Sequence, residues 1–438
     1  MSVNVLPFDQ VAIAQSDKGK RLKQRDYLTD GLLAVVDQGQ QEIGGYTDDQ
    51  SMAFEGALPV VLFGDHTRSV KLINHPFAVG ADGIKIFRPA SGVRINYLYY
   101  WMKSAPIPDR GYGRHYQFLR QLTVPLPSED QQDEIVAELE KQFSRLDEAV
   151  ANLQRVKANL KRYKASVLKA AVEGRLVETE ATQARREGRT YESGEQLLQR
   201  ILEERRAKWA GKRKYREPVT PETEALFELP EGWVWASREQ VSAGEPYSLA
   251  IGPFGSSLKV SDYKTEGVPL VFVRNIRSGS FGGENTVYVT ADKAVELSAH
   301  SVEPGDILVT KMGDPPGDVC RYPASRPPAV ITADCIKLRV TKVGIDPVFI
   351  EYAMSSRVVQ DQILGITKGV AQLKVNLANF SSIALPLPPH AEQARIVAEV
   401  DRHLCIVREV EAEVDTNLKR AQALRQATLS KAFQRGSQ

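Results

Sequence analysis

The sequence predicts an α+β protein: two similar mixed α/β globular parts, each followed by one long α-helix, the two helices pairing as an antiparallel coiled coil. Three observations predict it. The chain repeats itself, it holds two long stretches without Pro or Gly, and apolar residues recur in those stretches at steps of three and four. A chain of 438 residues is too long for one ordinary core. With 42% hydrophobic and 26% charged residues it has the composition of a globular protein. No apolar run approaches the roughly 20 residues that span a bilayer, and no membrane role is expected. MSVNVLPFDQ lacks the pattern of a signal peptide, and three scattered cysteines (Cys320, Cys335, Cys405) fit a reducing cytoplasm better than a metal knuckle or disulfide set. Cytoplasmic localisation is therefore expected. The net charge of +2 neither announces nor excludes a nucleic-acid binder, because a basic face can be cancelled elsewhere.

The repeat is clearest around the long stretches. Pro125-Leu126-Pro127 matches Pro386-Leu387-Pro388, an offset of 261 from Pro125 to Pro386. At that offset Gln132 meets Gln393, and Ile135-Val136-Ala137-Glu138 meets Ile396-Val397-Ala398-Glu399. Upstream, Phe63-Gly64-Asp65 resembles Met312-Gly313-Asp314, and Ala81-Asp82-Gly83-Ile84-Lys85 resembles Ala333-Asp334-Cys335-Ile336-Lys337. The order is the same in both halves, so the chain reads as a duplication.

Taken in order, residues 1–127 form the first globular part, with short β-like runs such as Leu58-Pro59-Val60-Val61-Leu62-Phe63 between Gly, Pro and Asp. Pro-Leu-Pro closes it, since proline continues neither a ladder nor a helix. Residues 128–174 are the first long helix, with a seam that includes Ile135, Leu139, Leu146, Leu153 and Leu160. Residues 175–227 read as a charged linker with one short helix at Leu197-Leu198-Ile201-Leu202. Residues 228–388 form the second globular part, and residues 389–435 the second helix, with Ile396, Val400, Val407, Val414 and Leu424 on its seam. Helices of this size are ~70 Å long at 1.5 Å per residue. So narrow a seam cannot be buried against one small domain; the other helix is its natural partner, homodimerisation being the alternative.

Neither globular part shows a catalytic constellation. Asp314-Pro315-Pro316-Gly317 looks like the Asp-Pro-Pro-aromatic loop of adenine methyltransferases, but Gly317 offers no ring to stack on a flipped base. Gly252-Pro253-Phe254-Gly255-Ser256-Ser257-Leu258-Lys259 lacks the order of a phosphate loop. Asp262-Tyr263-Lys264 has nuclease spacing without a suitable upstream acid.

Longer motifs resemble a known family, the specificity (S) subunits of type I restriction–modification systems. In the first part these are Val35-Val36-Asp37-Gln38-Gly39-Gln40, Gly45-Tyr46-Thr47-Asp48, Gly64-Asp65-His66-Thr67-Arg68 and Phe77-Ala78-Val79-Gly80-Ala81-Asp82-Gly83. In the second they are Leu229-Pro230-Glu231-Gly232-Trp233, Gly252-Pro253-Phe254-Gly255-Ser256 and Pro304-Gly305-Asp306-Ile307-Leu308. Glu392-Gln393 after the second Pro-Leu-Pro fits as well; the first copy has Gln131-Gln132 there, and only Leu6-Pro7-Phe8 for the Leu-Pro-x-Gly-Trp opening.

The resemblance implies a non-catalytic subunit with two target-recognition domains, each reading one half of a split, asymmetric site on double-stranded DNA. The helices would fix the gap and dock two adenine-methylating M subunits, with R subunits joining the larger complex. No cofactor is expected on this chain; S-adenosylmethionine, ATP and Mg belong to the partners. Basic and amide side chains on Gly-flanked loops are the candidate DNA readers. These are Arg68, Lys71, Arg110, Arg114 and His115 in the first domain, and Arg274, Asn275, Arg277, Lys311, Lys368, Gln372 and Lys374 in the second. Two readings from other classes compete: an independent methyltransferase or nuclease, which Gly317 opposes, and a coiled-coil scaffold without DNA, which the duplicated loops oppose.

Overall fold

The computed structural model describes residues 4–434 except 82, 112, 210–213, 284–285 and 368–372. It divides into two units, Met1–Lys157 with Ala412–Gln438, and Ala158–Glu411. Each unit therefore holds one globular part and a portion of both long helices, which run Glu129–Val172 and His390–Gln434.

In the first unit a four-stranded antiparallel sheet has the order Ala12–Gln15, Ile84–Pro89, Val60–Gly64, Val70–Ile73. Every residue of Val60–Gly64 is buried, as expected of a central strand of β-branched and large apolar residues covered on both faces. A three-stranded sheet places Leu33–Val36 between Gly45–Thr47 and Phe77–Val79, the latter pair parallel with Val35 opposite Ala78. The helix Ile95–Ser104 buries Tyr97, Leu98, Trp101 and Met102, one stripe at helical spacing. Asn4–Pro7 pairs with Thr123–Leu126, the strand that leads through Pro-Leu-Pro into the long helix.

The second unit repeats the plan. Its main sheet has the order Leu249–Ile251, Cys335–Leu338, Ile307–Thr310, Val319–Arg321, all antiparallel. Val268–Val271 lies between Tyr288–Val289 and Ala329–Ile331, again antiparallel on one side and parallel on the other. Val234–Ser237 pairs with Ala384–Leu387 before the second long helix.

The joint between globular part and helix is the same in both units. Buried Gln132 accepts from Arg94 N–H (2.8 Å) and donates to Gly92 O and Pro127 O, both at 2.9 Å. Buried Gln393 accepts from Asp346 N–H (2.8 Å) and donates to Gly344 O (3.2 Å) and Pro388 O (3.1 Å). One amide thus satisfies three backbone groups that the joint would otherwise bury unpaired.

The helices contact each other antiparallel. In the first unit Lys157 pairs with Asp415 (2.7 Å) and Asp147 with Arg425, while Val136, Leu139 and Phe143 share a core with Leu429 and Phe433. In the second, Tyr163 hydrogen-bonds His403 at 2.7 Å, and Val167 and Leu168 share a core with Ile396, Val400 and Leu404. Of the seam residues named above, Leu139, Ile396, Val400, Val407 and Val414 are buried, and Ile135, Leu146, Leu153 and Leu160 are half-buried. Leu424 is different, 54% exposed. Its neighbour Arg425 takes the inward position, its guanidinium 4.5 Å over the Phe143 ring, so the seam lies one residue further on.

The structure corrects three sequence expectations, two of them through strand registers. Phe63 opposes Lys85 as Leu308 opposes Lys337, so Asp65 stands where Thr310 stands and not at Asp314. Pro7 opposes Thr123 as Ser237 opposes Ala384, so Leu6-Pro7-Phe8 stands at Ala236-Ser237-Arg238; Trp233's counterpart position is residue 3, outside the described residues. The segment expected to be a linker with one short helix carries two, Glu180–Glu187 and Gly194–Ala207. Leu197, Leu198 and Ile201 sink into the core of the second unit, because one apolar face on a charged helix is enough to dock it.

Candidate nucleic-acid interface

In the first unit three loops are tied together at the ends of buried strands. The turn after Val60–Gly64 carries Asp65, whose carboxylate accepts from Tyr116 N–H (2.7 Å) and whose carbonyl accepts from His115 Nδ1 (2.9 Å). His115 Nε2 accepts from Arg110 N–H at 3.2 Å. This fixes the ring's tautomer and ties Arg110 to His115. Gly64 leaves room for the hydroxyls that line the turn, since a Cβ there would lie 2.4 Å from Thr67 Oγ1 and 2.6 Å from Ser69 Oγ and both would have to shift. Gln38 joins the third loop, its Oε1 accepting from His66 N–H (3.1 Å) and its carbonyl from Ser69 Oγ (2.7 Å).

Arg68 adopts φ 59°, held by Asp109 (2.6 Å) and Ile107 O (3.2 Å). The Gly111 N–H, then Arg68, hold the Asp109 carboxyl below its usual range. Arg110 and Arg114 are exposed. Lys71 and His115 are not available to DNA, and here the structure corrects the sequence. Lys71 is 8% exposed, donating to Asp37 O (2.7 Å) and Gln41 O, with burial pushing its pKa down. His115 is fully buried on the backbone of Asp65. The loop carbonyls they bind are structural partners, a use of polar side chains that sequence does not distinguish from readout.

In the second unit Lys311 stands at the end of Ile307–Thr310. Its ammonium lies 5.3 Å from the centre of the Phe254 ring and donates to Ala333 O at 3.3 Å. Phe254 is 64% exposed, and sequence reasoning passed over it; an aromatic set between glycines on a loop was the available signal. An exposed ring capped by a cation is a platform on which a sugar or base can stack. Arg274 is exposed and its guanidinium covers the Phe272 ring at 4.1 Å. Arg277 is exposed next to the Ser278-Gly279 turn, which faces the long helix near Lys164. Asn275 is a further correction: buried, it accepts from Phe272 N–H (2.9 Å) and donates to Gly282 O (3.0 Å), closing its own turn. Lys374 lies in the strand Leu373–Lys374, opposite Met312. Lys368 and Gln372 lie outside the described residues.

The Asp314-Pro315-Pro316-Gly317 loop buries its last two residues, and Gly317 N–H donates to Thr310 Oγ1 at 2.9 Å. Its φ of 107° is the reason for glycine, and the loop presents no ring to solvent at this position. Among the described residues no group of three or more His, Cys, Asp or Glu could hold a metal ion, and no helix is long and apolar enough to cross a membrane.

No family model matches the chain. Two proteins of Escherichia coli are similar to it in sequence. One is the type I restriction enzyme EcoBI specificity subunit, 27% identical over 171 residues, which are 38% of this chain and 35% of that protein. The other, from strain K12, is the EcoKI specificity subunit, 27% identical over 207 residues, 47% of this chain and 43% of that protein. The matches thus span less than half the length of either relative. Among solved structures, one on complex assembly and conformational transition of the type I R-M system holds a similar chain. It has a TM-score of 0.60 at 16% identity, covering 99% of this chain and 97% of that one, which is a likeness of fold. The chain is therefore a relative, by sequence over part of its length, of the type I restriction enzyme specificity subunits, and over nearly all of its length it has the fold of a chain from a type I R-M system.

Proposed function

We propose that this chain is the DNA-reading, non-catalytic specificity subunit of a type I restriction–modification complex. Each globular part reads one half of a split, asymmetric site in double-stranded DNA, and the paired helices dock two adenine-N6 methyltransferase subunits and the restriction subunits. S-adenosylmethionine, ATP and Mg act on those partners, in the cytoplasm. The observation that carries this reading is that one scaffold occurs twice, with the same sheet order and the same glutamine joint, while the loops on it differ. Arg68, Arg110 and Arg114 on one side, and Phe254, Arg274 and Lys311 on the other, are different sets of donors and rings. Different sets suit different half-sites, because base edges are told apart by donor and acceptor pattern.

The test is to co-express the chain with the M subunit encoded beside it and to map methylated adenines on the host genome. A new bipartite motif with an adenine modified in each half is expected. A stable complex of the two proteins that adds no methylation would sink the reading and leave a scaffold.

A further inference from the structure

The two units differ at one end of the main sheet. In the first, the helix Phe8–Val11 runs straight into the strand Ala12–Gln15. In the second, residues 242–248 stand between the helix Arg238–Val241 and the strand Leu249–Ile251. This added loop meets the end of the helix Gly194–Ala207. Arg205 donates to Glu239 O (2.6 Å) and Ser242 Oγ (3.4 Å), and a Cβ on Gly244 would lie 2.9 Å from Arg205 Cγ. Val219 N–H donates to Glu239 Oε2 at 2.9 Å, so the stretch after the helix is pinned to the same place.

Between these pieces lies an open cleft of about 920 Å³, lined by Arg205, Trp209, Lys214, Arg216, Glu245 and Tyr247. It is not part of the candidate reading surface. Leu249, also on its wall, pairs with Leu338, which pairs with Ile307. Lys311 stands four residues further along that strand, roughly 13 Å away at 3.3 Å per residue.

Two features of the lining point to a ligand. The first is its rings: Trp209 is 39% exposed and Tyr247 62%. Tyr247 holds φ 63°, a left-handed conformation that strains a bulky residue and is kept where function overrides the cost. The second is its cations. Arg206 and Lys208 close by pair with Glu217 and Glu204, but the exposed Lys214 and Arg216 have no ion pair or hydrogen bond among the described residues. Glu239 is engaged by Val219, and Glu245 faces Arg339 at 3.9 Å. A flat ring that carries phosphate satisfies both features, since bases stack on aromatic faces and Lys and Arg bind phosphate oxygens.

We propose that this cleft binds a nucleotide, its base stacked on the Tyr247 ring and its phosphate held by Lys214 and Arg216. The chemistry is the same for a free nucleoside phosphate and for the nucleotides of a single strand. Duplex DNA keeps its bases paired and stacked, and so offers no free base to the ring. The inference does not rest on the reading of DNA, so the methylation experiment and this one fail separately.

The test titrates the full-length chain with methylanthraniloyl-ADP and, separately, with a fluorescein-labelled oligothymidylate, read by fluorescence anisotropy. Saturable binding is expected, and the probe that binds more tightly identifies the source. Lys214→Ala combined with Arg216→Ala should weaken that binding by at least about ten-fold. Tyr247→Gly should weaken it by about five-fold or more through loss of the stacking ring. The melting temperature of that variant should hold or rise, because glycine relieves the left-handed backbone; a ring needed only for packing would lower it. No saturable binding of either probe up to about 1 mM overturns the proposal, as does an affinity that the paired charge substitution leaves unchanged. Displacement of the bound probe by unlabelled duplex DNA would make the cleft a duplex contact, and would overturn it too.

Discussion

Lys71 and Arg114 were indistinguishable as basic loop residues in the sequence, and burial separates them. Lys71 holds loop carbonyls beneath the surface, whereas Arg114 is exposed. Arg114→Ala is expected to leave the melting temperature unchanged and to lower the salt slope of DNA binding, measured on the assembled complex, by about 1. Lys71→Ala should do the reverse, costing about 1–3 kcal/mol of stability by leaving buried acceptors without a donor. Equal salt slopes for the two variants would refute the placement. Arg238 makes a second contrast. It is fully buried at the position of Phe8, stacks 4.1 Å from the centre of the Phe380 ring, and leaves Nε and one terminal nitrogen without a partner. Burial disfavours its charged form. Since the equivalent site accepts an apolar side chain, Arg238→Met should stabilise the protein, by about 1–3 kcal/mol, the cost of burying a polar group without a partner. Calorimetry showing a lower melting temperature for that variant would contradict this account.

At the scale of the element, the long helices carry a seam that periodicity locates to within one residue. Leu139 is 2% exposed and Leu424 54%, although both sit at seam spacing in the sequence. Leu139→Ala is therefore expected to cost about 2–5 kcal/mol, and Leu424→Ala less than about 0.5 kcal/mol, by urea denaturation. Comparable losses would mean that the seam runs through Leu424 after all. The helices and the repeat were legible because periodicity and identity are local properties of the chain. Strand registers were not: the shift from Asp314 to Thr310 as the partner of Asp65 depends on hydrogen-bond ladders between segments far apart in sequence. The glutamine joint was visible as an identity, Gln132 with Gln393, yet its role needed the positions of three carbonyl and amide groups from other loops. His115, Lys71 and Asn275 were misread for a related reason, because a polar side chain looks the same in sequence whether it faces water or closes a turn.

For the molecule as a whole, the two units share a joint but not their loops, so each globular part should be exchangeable without loss of assembly. Replacing residues 1–122 by the matching part of another such chain is expected to change one half of the methylated motif and leave the other intact; replacing 228–383 should do the converse. A change in both halves from either exchange would show that the parts do not read independently. The discontinuous make-up of the first unit has a further consequence, and it concerns time. Val136, Leu139 and Phe143 share their core with Leu429 and Phe433, which leave the ribosome long after them. The roughly 250 residues made in between occupy a ribosome for on the order of 10–50 s. During that interval the second unit, which is contiguous in sequence, can fold while the first waits with part of its apolar core uncovered, so nascent chains should depend on chaperones most strongly before residue 412 emerges.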